Sequence, residues 1–194
     1  AWLLAACPTE GTAMTAAEKV FQDRQVIQLA HAAQDGDLDR IQRLLNAGAN
    51  VRTVGAQGLT VTHFALLARH NAPKVMAAVL RAGADPVSML SSGDNVPQYA
   101  VGRDNADPEV VRVLLENGIG PNWFPPSGHG RETSLLQTAV RRHNLPVIHL
   151  LVAKGADINY LNPIMGSALH YALNGSDFFM AAFMVEAGIE LNLK

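Results

Sequence analysis

The residues of this chain that could do chemistry are its seven histidines and its single cysteine. Metalloproteases of the H-E-x-x-H type bind zinc through two histidines one helical turn apart, and the chain has no such pair. His143 and His149 are six residues apart with Pro146 between them, and His129 lies in a glycine-rich segment. The chain also lacks G-x-S-x-G and the phosphate-binding G-x-x-x-x-G-K. We therefore predict no catalytic residues, no metal site, no cofactor and no small-molecule substrate.

Two other groups of residues are suited to binding a partner. Trp123 and Phe124 are adjacent and are flanked by prolines, so they could form a rigid aromatic anchor. In the alternative, both rings fold back onto neighbouring structure, and the sequence leaves the two possibilities open.

Arginines form the second group, and their guanidinium groups suit bidentate pairing with acidic groups of a partner. The sequence equally allows a solvated polar face, because Asp104, Asp107 and Glu132 are close enough in sequence to compensate the charge. The arginines concerned are Arg103, Arg131, Arg141 and Arg142.

Composition limits the function classes. The chain has 194 residues, of which 48% are hydrophobic, and this is enough for a substantial core. Its net charge of -2 argues against nucleic-acid binding, because a basic excess is needed to neutralise phosphates. No apolar run reaches the length of a membrane span, and one cysteine cannot form a disulfide framework within the chain.

The elements that must position these residues recur along the chain. A glycine follows an apolar helix end five times, with separations of 35, 35, 37 and 33 residues, at Gly48, Gly83, Gly118, Gly155 and Gly188. A second series keeps the same period and marks helix starts, at Thr60–Ala65, Asn95–Ala100, Ser134–Ala139 and Ser167–Ala172. A period in this range indicates a stacked array of helix pairs.

The two series resemble the ankyrin repeat, with its T-P-L-H-x-A helix start and its L-L-x-x-G-A-D-x-N ending. Ala32–Leu38 is similar to the A-A-x-x-G segment between the paired helices. The resemblance covers about residues 25–194 and implies an all-α ankyrin-repeat solenoid of about five helix-turn-helix repeats with hairpin-like fingers. We assign residues 15–194 to this domain. The first repeat lacks T-P-L-H, and a helical pattern from Thr15 to about Asp35 predicts one longer capping helix.

The resemblance also implies where a partner binds, because fingers and first helices line the concave groove of ankyrin arrays. The predicted partner-binding residues are Arg103, Trp123, Phe124, His129, Arg131, Arg141, Arg142 and Asn174. It implies a structural role for His63 and His170, whose imidazoles would form hydrogen bonds between neighbouring fingers.

At the last repeat, Phe178 and Phe179 stand where a capping repeat is normally polar. They would form a self-association or partner surface, or they would pack against Ile189 and Leu191. We favour the second alternative.

Residues 1–14 resemble the end of a bacterial lipoprotein signal followed by a tether. Leu4-Ala5-Ala6-Cys7 is similar to the lipobox, in which the cysteine becomes lipidated. The alternative is a loose terminus whose cysteine happens to follow two alanines. Lipidation of Cys7 would place the protein in the periplasm on a membrane, and Pro8 rather than Asp after the cysteine favours the outer membrane.

The combination of lipobox and ankyrin array resembles the lipoprotein immunity proteins paired with phospholipase effectors of type VI secretion systems. The resemblance implies a non-enzymatic protein that binds a secreted toxin and occludes its active site. The alternatives are a periplasmic ankyrin protein of oxidative-stress protection and a passive scaffold in the envelope.

Overall fold

A computed structural model describes residues 15–125, 133–162, 164, 166–175 and 177–189. Within these ranges the chain forms eleven α-helices, one short 3-10 turn at Ala56–Gly58 and two isolated β-bridges. The chain divides into two compact units, Ala1–Val96 and Pro97–Lys194.

The first unit contains a short capping helix and two helix pairs. Helix α2 packs on α3 within the first pair, α4 packs on α5 within the second, and the pairs contact each other through α2 with α4 and α3 with α5. Leu29, Ile41, Phe64 and Met76 are fully buried in its core. The helices are α1 (Ala16–Val20), α2 (Arg24–Asp35), α3 (Leu38–Asn46), α4 (Val61–Leu66) and α5 (Ala72–Arg81).

The prediction of one long N-terminal helix is wrong, because the chain breaks between α1 and α2. Asp23 ends the break by capping α2, since its Oδ1 accepts a hydrogen bond from the Gln25 amide at 2.7 Å. Phe21 takes an extended conformation and is buried, with its ring centroid 5.8 Å from that of Phe64. Burying this ring and capping α2 together interrupt the helical pattern.

The second unit contains three helix pairs, of which the first begins at the boundary between the units. Helix α7 packs on α9, α8 packs on α9 and α10, and α10 packs on α11. Leu136, Ile148, Leu151 and Met184 are buried in its core. The helices are α6 (Val96–Gly102), α7 (Pro108–Glu116), α8 (Leu135–Arg141), α9 (Leu145–Ala153), α10 (Ala168–Asn174) and α11 (Phe178–Glu186).

The favoured prediction for the last repeat, in which Phe178 and Phe179 are covered, is wrong. The two side chains are 74% and 73% exposed on α11. Ile189 is itself buried, and Leu191 lies outside the described residues. The rings stay exposed because α11 packs on α10 and no described element follows this helix pair.

The five glycines that define the period all end second helices in the left-handed region, as predicted. Their φ angles lie between 86° at Gly155 and 102° at Gly118. A residue with a Cβ is strained there, so glycine is the residue that this turn requires.

Two of the connections between repeats are hairpin-like, as the resemblance implied. Met89 and Asn95 form an antiparallel bridge in the first unit, and Asn162 and Gly166 form one in the second. We call the connections after Gly48, Gly83, Gly118 and Gly155 fingers 1 to 4. None of the described helices combines the length and the apolar character needed to cross a membrane.

Candidate protein-binding surface

Side chains at the fourth position of T-P-L-H-like segments hold neighbouring fingers together in the second unit. Gln137 accepts a hydrogen bond from the Ser134 amide at 3.0 Å through Oε1. Its Nε2 donates to the Gly166 carbonyl of finger 4 at 2.7 Å. Gln98, one repeat earlier, donates to the Thr133 carbonyl at 2.6 Å. These glutamines perform the bridging role that the resemblance implied for histidines.

His63 forms the hydrogen bond at the start of its own helix but, among the described residues, none to a neighbouring finger. Its Nδ1 accepts a hydrogen bond from the Thr60 amide at 3.2 Å, so the neutral ring carries its proton on Nε2. Nε2 is buried and has no hydrogen-bond partner among the described residues. Burial lowers the pKa of His63 to about 4, and the nearby charge of Asp85 opposes this shift only in part. His170 makes the equivalent local contact with the Ser167 amide at 3.1 Å but is exposed.

Finger 3, which carries the predicted aromatic anchor, is tied to the next repeat through Asn122. The Asn122 side chain donates to the Gly155 carbonyl at 3.2 Å and accepts from the Asp157 amide at 2.6 Å. Arg52 occupies the same position in finger 1, four residues after the helix-ending glycine, and its Nε donates to the Gly83 carbonyl at 2.9 Å. Both the amide nitrogen and the amide oxygen of Asn122 therefore hold the base of finger 3 to the backbone of the next repeat.

Trp123 and Phe124 are each half-buried, so neither ring is fully exposed to solvent and neither is fully covered by the rest of the chain. The Phe124 ring lies against Tyr160 of finger 4, with centroids 4.6 Å apart and the planes tilted by 49°. Tyr160 was missed by the sequence analysis. Its position in the repeat could have identified it, because Tyr160 and Trp123 lie the same number of residues after the helix-ending glycines Gly155 and Gly118. We call Trp123, Phe124 and Tyr160 the aromatic cluster, in which the ring contact that joins fingers 3 and 4 is that of Phe124 with Tyr160.

The C-terminal ends of α6, α8 and α10 carry the predicted polar residues of the second unit. Arg142 forms an ion pair with Asp104 at 3.6 Å, which brings the end of α8 next to the end of α6. Arg103 is half-buried and takes part in an interaction of its own. Asp104 therefore compensates the charge of Arg142, which is one of the two possibilities that the sequence left open. Asp107 instead caps α7, accepting from the Glu109 amide at 2.8 Å.

Arg141 and Asn174 are exposed at the ends of α8 and α10. Burial raises the pKa of the Tyr171 hydroxyl, and the positive charge of Arg141 opposes that shift. Arg141 therefore lies close to Tyr171, whose hydroxyl is buried without a hydrogen-bond partner in the described ranges. Arg141 forms no ion pair with a described residue, so its guanidinium can meet an acidic group from outside.

A cavity of about 210 Å³ opens between fingers 1 and 2 in the first unit, where the sequence predicted no binding residue. Val54 and Met89 give it an apolar wall, and Arg52 and Asp85 give it charged groups. It is smaller than the roughly 300–1,000 Å³ pockets that hold small-molecule ligands. Its size suits a single side chain of a partner protein.

Three predicted residues lie outside the described ranges, namely His129, Arg131 and the lipidation residue Cys7. Among the residues that are described, no group of three or more His, Cys, Asp or Glu side chains could hold a metal ion.

Comparison with known proteins gives one family and weak individual relatives. A family profile described as ankyrin repeats in three copies matches residues 98–194, which is half of the chain. Mouse ankyrin repeat and SOCS box protein 14 is 29% identical over 156 residues, covering 74% of this chain and 25% of the mouse protein. Bovine dynein axonemal heavy chain 12 is 28% identical over 208 residues, covering 85% of this chain and 55% of the bovine protein. The chain thus spans less than two thirds of each relative.

Proposed function

The chain belongs to the ankyrin-repeat family, and from this premise we propose that it is a protein-binding module that works as a periplasmic immunity protein. In this proposal it binds a secreted antibacterial toxin of the phospholipase type and covers the active site of the toxin. The partner is a protein, and the chain itself carries out no reaction.

The Leu4–Cys7 lipobox pattern carries this proposal beyond the general function of the family. A lipid on Cys7 would hold the protein at a membrane surface, because each buried methylene contributes about 0.8 kcal/mol. A phospholipase must reach the same surface to find its substrate. Anchoring would therefore keep the inhibitor at high local concentration where the toxin acts.

The geometry of the second unit supports a protein partner. Its aromatic cluster of Trp123, Phe124 and Tyr160 is half-buried on anchored fingers, so little side-chain freedom is lost on binding. Exposed Arg141 offers a cation for a carboxylate of the partner. Aromatic residues and arginine are the residue types enriched among interface hot spots.

A protection experiment with matched Cys7 variants tests the proposal. The chain is produced behind a bacterial lipoprotein signal in a sensitive strain whose periplasm also receives a phospholipase effector of a type VI secretion system. We expect survival with the native chain, and loss of both lipid labelling and protection when Cys7→Ser is produced at equal abundance.

The outcomes separate anchoring from inhibition. Full protection by Cys7→Ser would contradict the requirement for the lipid. Failure of the native chain to protect against the toxin would contradict the immunity function, and protection against peroxide instead would identify the stress-protection alternative.

A further inference from the structure

The cavity between fingers 1 and 2 is a site that the proposed function does not use. It belongs to the first unit, and its volume is about 210 Å³. Its apolar lining combines buried Val51 with half-buried Met89 and with Val54, which is 67% exposed. Apolar surface that is left in water beside a cavity is stabilised when an apolar group of another molecule covers it.

The polar side chains deepest in the lining have partners within the chain. Thr60 and Ser88 are both buried, and the Thr60 hydroxyl donates to the Ser88 hydroxyl at 3.1 Å. The Ser88 hydroxyl in turn donates to the Asp85 carbonyl at 2.9 Å. Because both hydroxyls already form hydrogen bonds, an apolar group can enter beside them without leaving a polar group unpaired.

The repeat provides an internal comparison for this cavity, because fingers 3 and 4 carry residues at the same positions. Val54 and Phe124 each stand six residues after a helix-ending glycine. Ser88 and Tyr160 each stand five residues after one. In the second unit these two positions hold rings whose centroids are 4.6 Å apart. In the first unit the same positions hold smaller side chains, and both of them line the cavity.

The charged groups of the lining favour a neutral aromatic occupant. Arg52 and Asp85 carry opposite charges, so the lining as a whole attracts neither a cation nor an anion. The Nε of Arg52 donates to the Gly83 carbonyl at 2.9 Å, which holds the guanidinium beside the cavity. Arg52 forms no ion pair with a described residue, so its cation can lie against the face of a ring.

We propose that the cavity between fingers 1 and 2 binds an aromatic side chain of a protein partner. The ring lies against Val54 and Met89 and supplies the aromatic group that Phe124 and Tyr160 supply at the same repeat positions. A side chain is the occupant because the cavity is smaller than the pockets that hold small-molecule ligands. The site is independent of the proposed immunity function, because it uses none of the residues assigned to the toxin.

A titration of the full chain with N-acetylphenylalaninamide tests the site. The chain is labelled with ¹³C at its methionine methyl groups, and Met89→Leu assigns the Met89 signal. We expect a saturable shift of that signal with a Kd of about 1 mM, the affinity of one well-placed side chain. N-acetylleucinamide should bind about fivefold more weakly, because it lacks the ring that Arg52 attracts.

A matched pair of valine substitutions locates the binding. Val54→Asp should weaken binding of N-acetylphenylalaninamide about tenfold, because it replaces an apolar part of the lining with a charge. Val185→Asp is the control, since Val185 is also exposed but lies on α11, and it should leave the Kd unchanged. The absence of a saturable Met89 shift in the native chain up to about 20 mM probe would overturn the proposal. Equal affinity for the two probes, or a native Kd in Val54→Asp, would also overturn it.

A second variant tests whether the cavity accepts a ring, without any added probe. Val54→Phe places a phenylalanine where finger 3 carries Phe124, and its ring should enter the cavity. We expect a ring-current shift of the Met89 methyl signal and a Kd for the probe that is about tenfold higher. Val185→Phe should change neither. A Met89 signal that keeps its native position in Val54→Phe would contradict the proposal, because the cavity would then have refused the ring.

Discussion

At the residue scale, the fourth position of the T-P-L-H-like segments shows how one site is filled in two chemical ways. An amide at Gln137 satisfies both the helix cap and the next finger, since it offers an acceptor and a donor at suitable reach. The imidazole of His63 satisfies the cap but leaves its buried N–H without a partner among the described residues. An unpaired buried donor costs about 1–3 kcal/mol. This position is therefore a source of instability in the first unit.

The pKa of His63 makes this instability depend on pH. The folded chain keeps His63 neutral down to about pH 4, whereas the unfolded chain takes up a proton near pH 6.5. The free energy of unfolding therefore falls as the pH falls through this window. A shift of this size corresponds to a loss of up to about 3 kcal/mol.

We predict that His63→Gln removes this dependence, because Gln98 and Gln137 show that glutamine fits the position. The difference in unfolding free energy between variant and native chain should grow in favour of the variant from about pH 7.5 to about pH 4.5, by about 2–3 kcal/mol. Urea titrations at the two pH values measure it. Identical pH slopes for both proteins would show that His63 is not the titrating group.

The aromatic cluster carries a second prediction at this scale. Trp123→Ala should weaken the proposed complex with a toxin by about 30-fold, the effect of removing a hot-spot residue. Phe124→Leu retains an apolar contact with Tyr160 and should have a smaller effect. Val185→Ala, which shortens an exposed apolar side chain at the end of α11, is the control. Calorimetry gives the Kd values, and an unchanged Kd for Trp123→Ala would exclude finger 3 as the anchor.

At the scale of the elements, asparagine side chains at the N-caps of second helices contact the neighbouring repeat. Asn144 caps α9 by accepting from the Val147 amide at 3.1 Å, and its Nδ2 donates to the Ala106 carbonyl at 3.1 Å. Asn71 makes the corresponding contact with the Gly36 carbonyl in the first unit, at 3.4 Å. In each unit, one repeat is thus fixed to its neighbour near the point where its second helix begins.

Two substitutions of Asn144 separate these contributions. Asn144→Asp keeps the capping acceptor and loses the donor to Ala106, so it should cost about 1 kcal/mol. Asn144→Ala loses both and should cost about 2 kcal/mol. Urea unfolding at neutral pH measures the two values. Equal stability of Asn144→Asp and the native chain would mean that the contact with Ala106 contributes nothing.

The helices were predictable where local chemistry sets their ends, and less so where packing does. The stop at Gly155 follows from backbone freedom and is confirmed, and a helix does begin after Ser167, whose Oγ lies 2.9 Å from His170 Nδ1. The break at Phe21 was missed, because its cause is the burial of that ring beside Phe64, a contact distant in sequence. Periodicity within one segment carries no information about such a contact.

At the scale of the whole chain, the period of the glycines was sufficient to predict five helix pairs and the family. The period arises because each repeat must bury its faces on its neighbours, so the same residues recur at the same places. The predicted binding residues do not recur, and their exposure was not predictable. Phe124 and Tyr160 meet only because two fingers lie side by side, and Phe179 stays exposed because no described element follows its helix pair.

In the proposed function the whole chain is a stoichiometric inhibitor of a toxin. The most direct measurement is hydrolysis of a fluorescent phospholipid by the purified toxin while the purified chain is titrated into the assay. We predict that activity falls linearly and reaches background at one chain per toxin molecule. Toxin activity that persists in about tenfold excess of the chain, at concentrations far above the Kd of a tight complex, would contradict the proposed inhibition.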